Sequence, residues 1–455
     1  MYAKFVRWML LAGFVLWQAP VWAGLDIQQW NTAAGAKVLF VANHDLPIVD
    51  VNVDFPAGSA YDVPDQSGLA RLTNHLLTLG AGNRDENAMA VAQADIGASI
   101  GERFGQEEAG LSLRTLSSEK EKQQAFQLLA QSLQQPRFDA AVLARERSRM
   151  VAGIKEAEAL PGTVADKAFN RALYRQHPYA LPPAGETATL VRLTPADVQR
   201  FYRAHYQARY AVIAIMGDLT RAQAEALAVQ LTASLPIAEG GALPPIPPVP
   251  ALPQAAVEHI SHPSSQSHVL IGAPVMTRTD PDYYPLLVGN YVLGGGGFDS
   301  RLTQVVRDKH GLAYSVYSYL SPMRQQGPFV LGLQTKNATA DEAVRLARNV
   351  LDRFVAEGPT EAELRQAKAN IAGGFPLRLD SNRKIIEYLS VIGDFDLPLN
   401  WLDEYPKKVE AVTLAQIRDA FKRRLDPNKL VEIVVGGAAQ KSPADKDGRV
   451  ASTAQ

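Results

Sequence analysis

Leu69, Leu72, Leu76 and Leu79 recur at spacings of three and four, with Arg71, Asn74 and His75 between them, and this pattern predicts an amphipathic helix. Further on the period changes to two. Leu111-x-Leu113-x-Thr115 alternates as a half-buried strand does and leads into a long helical pattern. The same succession returns at Leu331-x-Leu333-x-Thr335, 220 residues later. A second pair lies near the end of each half. Thr194-Pro195-Ala196-Asp197-Val198 starts a helix that leads to the strand Val212 to Met216 and Gly217; Thr413-Leu414-Ala415-Gln416-Ile417 leads to Val431 to Val435 and Gly436, 219 residues on. One such match arises by chance, but two at nearly one spacing point to internal duplication. The expected fold class is α+β, with two homologous α/β-sandwich-like domains of about 200 residues each.

Pro244-Pro245-Ile246-Pro247-Pro248-Val249-Pro250, flanked by Gly240, Gly241 and Pro253, favours extended polyproline and resists helix or sheet. It reads as an interdomain linker over 239–254, between a first domain at 24–238 and a second at 255–440. The small, polar residues of 441–455 read as a disordered tail. At the other end, Lys4 and Arg7 precede ten apolar residues from Trp8 to Trp17 and then Val21-Trp22-Ala23, a secretory layout with cleavage expected after Ala23. Ten residues are about half of the roughly 20 that span a bilayer. The mature chain is therefore expected without a membrane span, most simply in a periplasm.

Composition narrows the chemistry. The 455 residues, 47% hydrophobic and 20% charged, suffice for two well-buried domains. There is no cysteine, which excludes disulfides, thiolate metal sites, a cysteine nucleophile and a lipid-modified N-terminal Cys. Net charge is −1, giving no footprint for a nucleic-acid partner. No serine sits in a G-x-S-x-G elbow.

Arg71-Leu72-Thr73-Asn74-His75 occupies the frame of an H-x-x-E-H motif, in which two imidazoles four residues apart share a helix face and grip zinc while the Glu activates the bound water. A guanidinium at 71 donates no lone pair and repels a divalent cation, and the amide of Asn74 is no base. Read alone, the segment is equally an ordinary amphipathic helix with three solvated polar residues.

The wider window Gly68-Leu69-Ala70-Arg71-Leu72-Thr73-Asn74-His75-Leu76-Leu77-Thr78-Leu79-Gly80 resembles the GLAHxxEHxxxxG signature of the pitrilysin/insulinase family, close to its mitochondrial processing peptidase branch. Ala57-Gly58-Ser59 resembles that family's A-G-S turn. The resemblance implies a third zinc ligand in a helix that starts here at Glu146-Arg147, with Glu146 matching the earlier acid and Gly153 at the ligand position. Catalytic zinc takes three protein ligands plus water. With Arg71, Asn74 and Gly153 at the degenerate site, only His75 is retained, so no metal or other cofactor is expected in this chain.

In the second half, Gly294-Gly295-Gly296-Gly297 precedes Arg307-Asp308-Lys309-His310-Gly311-Leu312-Ala313-Tyr314. The latter resembles the family's R-x-x-x-G-L-A-Y segment, which implies that Arg307 and Tyr314 position a peptide substrate. Gly311 is expected to end a helix, after which Leu312 to Tyr317 runs as a strand beside Arg307. The glycines lack the G-K-[ST] ending of a phosphate loop and resemble a shortened glycine-rich loop of the non-catalytic processing-peptidase subunit. Their plain reading is a flexible turn. His259, His262 and His268 lie near one another in a segment with Pro263 and several serines, read as a local loop; His44, His177, His205 and His310 are isolated.

Two functions fit these expectations. One is a non-catalytic subunit that pairs with a zinc-bearing homologue, completes a chamber and holds peptide substrates. The other is a peptide-binding or scaffold protein of the same fold without proteolysis. A peptidase with an unrecognised metal site is a weaker third reading.

Overall fold

The computed structural model describes residues 24–237 and 242–437. The leader 1–23, the tail 441–455 and Gly240 and Gly241 of the linker lie outside the described residues.

In the first half, strands β1 (Gln28–Asn31), β2 (Lys37–Ala42) and β3 (Ile48–Phe55) are followed by helix α1 (Leu69–Leu76), then β4 (Ser99–Phe104) and β5 (Ala109–Leu116). Helices α2 (Glu119–Gln134), α3 (Ala140–Ala157), α4 (Pro161–Tyr174) and α5 (Pro195–His205) lead to β6 (Val212–Gly217). The second half runs β7 (Ala256–Ile260), β8 (Gln266–Met276), β9 (Ala313–Leu320), β10 (Gly327–Lys336), α6 (Ala340–Glu357), α7 (Asn382–Asp394), α8 (Leu414–Arg424) and β11 (Val431–Val435).

The sheets are ordered β1-β2-β6-β3-β5-β4 and β9-β10-β8-β11-β7. Strand for strand, β2-β6-β3-β5-β4 corresponds to β7-β11-β8-β10-β9, and in each sheet the first of these pairs is parallel and the rest antiparallel. The fold is thus α+β with two like domains. Both helix starts singled out by the repeat carry capping boxes: Thr194 with Asp197 and Thr413 with Gln416 each exchange hydrogen bonds across the first turn.

The halves exchange helices. Helix α4 packs on β8 and β11 of the second sheet, and α7 packs on β2, β3 and β6 of the first. Missing side chains permit both approaches: a Cβ on Gly272 of β8 would lie 2.9 Å from the ring of Phe169, and one on Gly393 of α7 would lie 2.5 Å from Val212. Leu39, Val41, Ala214 and Met216 on one face of the first sheet consequently share a core with Ile271, Leu331 and Ile433 of the second. The other face, including Phe40, Val51 and Ile215, packs against α1, α2 and α5 residues such as Leu72, Leu129 and Tyr202 in a core of its own. Residues 242–254 of the linker form neither helix nor strand.

β3 alternates valines with Asp50, Asn52 and Asp54, and its polar face meets α7. Arg103 of β4 donates to Asp54 at 2.6 Å and to both oxygens of Glu387 on α7 at 2.9 Å. Glu108 and Asp394 lie in the same buried region. Burial first, then the negative charges of Asp54 and Glu107, push Glu108 up to about 7. Burial, with Asp54 and Glu108 as its charged neighbours, raises Asp394 well above the ordinary range. Among the described residues no helix is long and apolar enough to cross a membrane.

Candidate functional site

Helix α1 is set by its N-terminus. Gly68 takes φ +95°, a left-handed conformation suited to glycine, and its N–H and that of Ala70 donate to buried Asp62 at 2.7 and 2.8 Å. The Ala57-Gly58-Ser59 turn packs against residues 105–107, where a Cβ on Gly58 would be 2.5 Å from the Gln106 carbonyl carbon. The helix buries Leu69, Leu72, Thr73, Asn74 and Leu76 and leaves Arg71 and His75 half-buried.

His75 is held between two carboxylates. Its Nδ1 lies 2.6 Å from Oε1 of Glu102, on β4, and its Nε2 lies 3.2 Å from Oε2 of Glu146, on α3. The hydrogen bond to Glu102 raises the His75 pKa and outweighs the opposing effect of burial, and Glu146 at the other nitrogen acts in the same direction, so the pocket favours the protonated ring. Burial opposes ionisation of Glu102, yet the bond to His75 and the charges of His75 and Arg71 hold its carboxyl below the ordinary value. Glu146 is likewise held down, against burial, by Arg145 and His75, and Arg149 donates to it at 2.8 Å.

Asn74 is fully buried. It donates to the Arg103 carbonyl at 3.0 Å and accepts from the Tyr206 hydroxyl at 3.0 Å. The reading of Asn74 and His75 as solvated helix residues is therefore corrected: both are tied into the sheet and neighbouring helices. Arg71 lies over the Phe104 ring at 5.0 Å, with Nη2 3.9 Å from Oε2 of Glu102.

These residues do not fit zinc. The two carboxylates sit at opposite nitrogens of the imidazole, so they do not converge on one point with a ring lone pair; each ring nitrogen already faces a carboxylate oxygen; and a guanidinium stands at position 71. Gly153 on α3 brings no donor, and a Cβ there would meet nothing within 4 Å. Among the described residues no group of three or more His, Asp or Glu side chains could hold a metal ion. Sequence reasoning missed Glu102. Its place 27 residues from His75, on an edge strand, has no motif, and only the acid-at-a-strand pattern could have suggested it.

In the second half the structure brings Arg307 and Tyr314 together. The guanidinium lies 5.8 Å from the Tyr314 ring and 5.0 Å from that of Phe298, and both rings face solvent, 83% and 72% exposed. Phe298 was not singled out by the sequence. Gly311 takes φ +63° and is followed by β9, an edge strand. The segment before it, Thr303–Lys309, is a π-helix.

The glycine run is corrected in kind. Gly294 and Gly295 belong to a π-helical turn, Tyr291–Gly295, and Gly297 to a 3-10 turn. Gly294 is buried, and a Cβ on it would lie 2.5 Å from the Ser318 nitrogen, so it packs against β9. Gly295 and Gly297 remain exposed, and Gly296 is half-buried. His259 and His268 lie on β7 and β8, which replaces the local loop expected there.

Comparison with known proteins agrees with this organisation. Residues 37–187 match the family model for insulinase (peptidase family M16), and residues 192–371 match the model for the peptidase M16 inactive domain. A crystal structure of a peptidase M16 inactive domain from Pseudomonas fluorescens is 36% identical, superposes with a TM-score of 0.87, and covers 92% of this chain and 100% of its own. A non-peptidase homolog, YmxG of Helicobacter pylori, is 26% identical over 95% of this chain and 98% of its own length. An uncharacterized zinc protease of Streptomyces coelicolor is 27% identical over 71% of each.

Proposed function

Since the chain belongs to the peptidase M16 (insulinase) family, we propose that it is a non-catalytic member that pairs with a zinc-bearing homologue and holds peptide substrates for cleavage at the partner's metal. The observation that carries this reading is the double clamp on His75. The one imidazole left from the zinc motif is spent on Glu102 and Glu146, and the other ligand positions hold Arg71 and Gly153. The supplied groups are Arg307, a rigid fork of donors for a carbonyl or carboxylate, and Tyr314, a hydroxyl on a stiff ring, with Phe298 keeping the guanidinium in place. The exposure of the Tyr314 and Phe298 rings supports an intermolecular role, while Arg307 is half-buried with its Nε 3.8 Å from Asp308. The secretory layout of 1–23 supports a site of action outside the cytoplasm, most simply a periplasm.

A charge-assisted hydrogen bond is worth about 1.5 to 3 kcal/mol, so Arg307→Ala is expected to lower kcat/KM of the assembled pair by roughly 10- to 100-fold. Tyr314→Phe should have a smaller effect, because it removes one neutral donor. Steady-state peptide hydrolysis by the co-purified pair, with size-exclusion chromatography to confirm assembly, measures both. Unchanged activity in Arg307→Ala, or failure to assemble, would favour the scaffold reading instead.

A further inference from the structure

We propose that the cavity beside Arg71 binds the C-terminal residue of a peptide, with its apolar side chain against α3 and its α-carboxylate on the Arg71 guanidinium. This rests on the peptide-holding role above and names the part of the peptide that is read.

The cavity measures about 470 Å³ and lies wholly within the first half. Such a volume falls within the roughly 300 to 1,000 Å³ of small-ligand sites and suits one or two residues. Two helices wall it with complementary stripes. Met150, Gly153, Ile154 and Ala157 of α3 form an apolar stripe at positions i, i+3, i+4 and i+7, one face of a helix. Thr163, Asp166, Lys167 and Asn170 of α4 form a polar stripe at the same spacing. Gly153 keeps the apolar wall open, since nothing lies within 4 Å of a Cβ built there.

The charge in the cavity selects a carboxylate. Lys167 is neutralised by Glu158 and Glu186, and Asp166 lies toward His268. Arg71 is different: none of its five N–H donors makes a hydrogen bond to any described residue, and it rests on Phe104, which holds the plane of the guanidinium without using its edge. Glu102, the nearest acid, spends Oε1 on His75, and its Oε2 stays 3.9 Å from Arg71 Nη2, beyond hydrogen-bond distance. A planar fork with unspent donors at the end of an apolar wall fits a carboxylate bidentately. The side chains of Thr163 and Asn170 are also without hydrogen bonds among the described residues, and they offer partners for backbone amides that an alkyl chain could not use.

The test is fluorescence anisotropy on the purified full chain, without any partner, using a fluorescein-labelled hexapeptide ending in Leu as the free acid and as the C-terminal amide. The acid should bind, and the amide about 10- to 100-fold more weakly. Arg71→Met should bind both forms alike. Gly153→Trp, which fills the cavity from an unobstructed position, should lose both while keeping the native circular dichroism spectrum. Equal affinity for acid and amide in the native chain, discrimination retained in Arg71→Met, or binding of neither peptide would overturn the proposal. Displacement of the peptide by decanoate at lower concentration than unlabelled peptide would assign the site to fatty acids and overturn it too. The measurement uses the chain alone and reads no hydrolysis, so its failure is distinguishable from failure of the subunit role, which hydrolysis by the assembled pair reads.

Discussion

Replacing Arg103 with alanine is expected to destabilise the fold by about 3 to 5 kcal/mol, the penalty for leaving one partner of a buried ion pair unmatched. Arg103 is the positive group between Asp54, whose side chain is fully buried, and Glu387 on α7, so its loss exposes the first half's sheet to uncompensated charge where the second half's helix docks. Glu387→Ala should cost no more than about 1 kcal/mol, because Glu387 is half exposed and its pair is screened. Urea unfolding of the two variants beside the native chain measures this difference. The deficit of Arg103→Ala should also grow with pH. Glu108 and Asp394 have folded pKa values above their unfolded ones, so what they contribute to stability is present at low pH and is lost as pH rises, for Glu108 between 4.5 and about 7. Removing the cation makes ionisation in this cluster less favourable still. The gap to the native chain should therefore be wider at pH 8 than at pH 5, and an equal or narrower gap would remove Arg103 as the cluster's counter-charge.

A chain carrying Arg71→His, Asn74→Glu and Gly153→Glu together is expected to bind zinc with micromolar affinity or better, about 8 kcal/mol. Each change supplies one missing part: a second imidazole four residues before His75, a base beside it, and a carboxylate from α3 at a position where a new side chain meets nothing. Any one change alone should bind little, because the ligand count stays short of three. Uptake should be tighter at pH 8 than at pH 6, since zinc needs the neutral imidazole and His75 has a raised pKa. Isothermal titration of zinc into the triple and single variants measures both effects. A folded triple variant without affinity would show that Gly153 is not the third-ligand position.

The duplication was legible because its signals are local. Alternation in β5 and β10 and the Thr-initiated helices α5 and α8 are each written within a few consecutive residues. The loss of the zinc motif was legible for the same reason. The clamp on His75 was not, because Glu102 reaches it only through the pairing of β4 with β5, which fixes which face of the edge strand looks at α1. The exchange of α4 and α7 was equally hidden: both helices have apolar stripes that any sheet could cover, and only the assembled topology says which sheet does. The packing of Gly294 was hidden because glycine serves close packing as readily as mobility, and the neighbour that demands it is Ser318, on a strand yet to come in the sequence.

The most direct test of the inactive-site reading is the zinc content of the native chain, measured by inductively coupled plasma mass spectrometry after purification in zinc-supplemented buffer, with His75→Ala alongside. Only trace zinc, the same in both proteins, is the expected result. About one zinc per chain, lost in His75→Ala, would contradict it, because the imidazole clamped by Glu102 and Glu146 would then be a metal ligand after all.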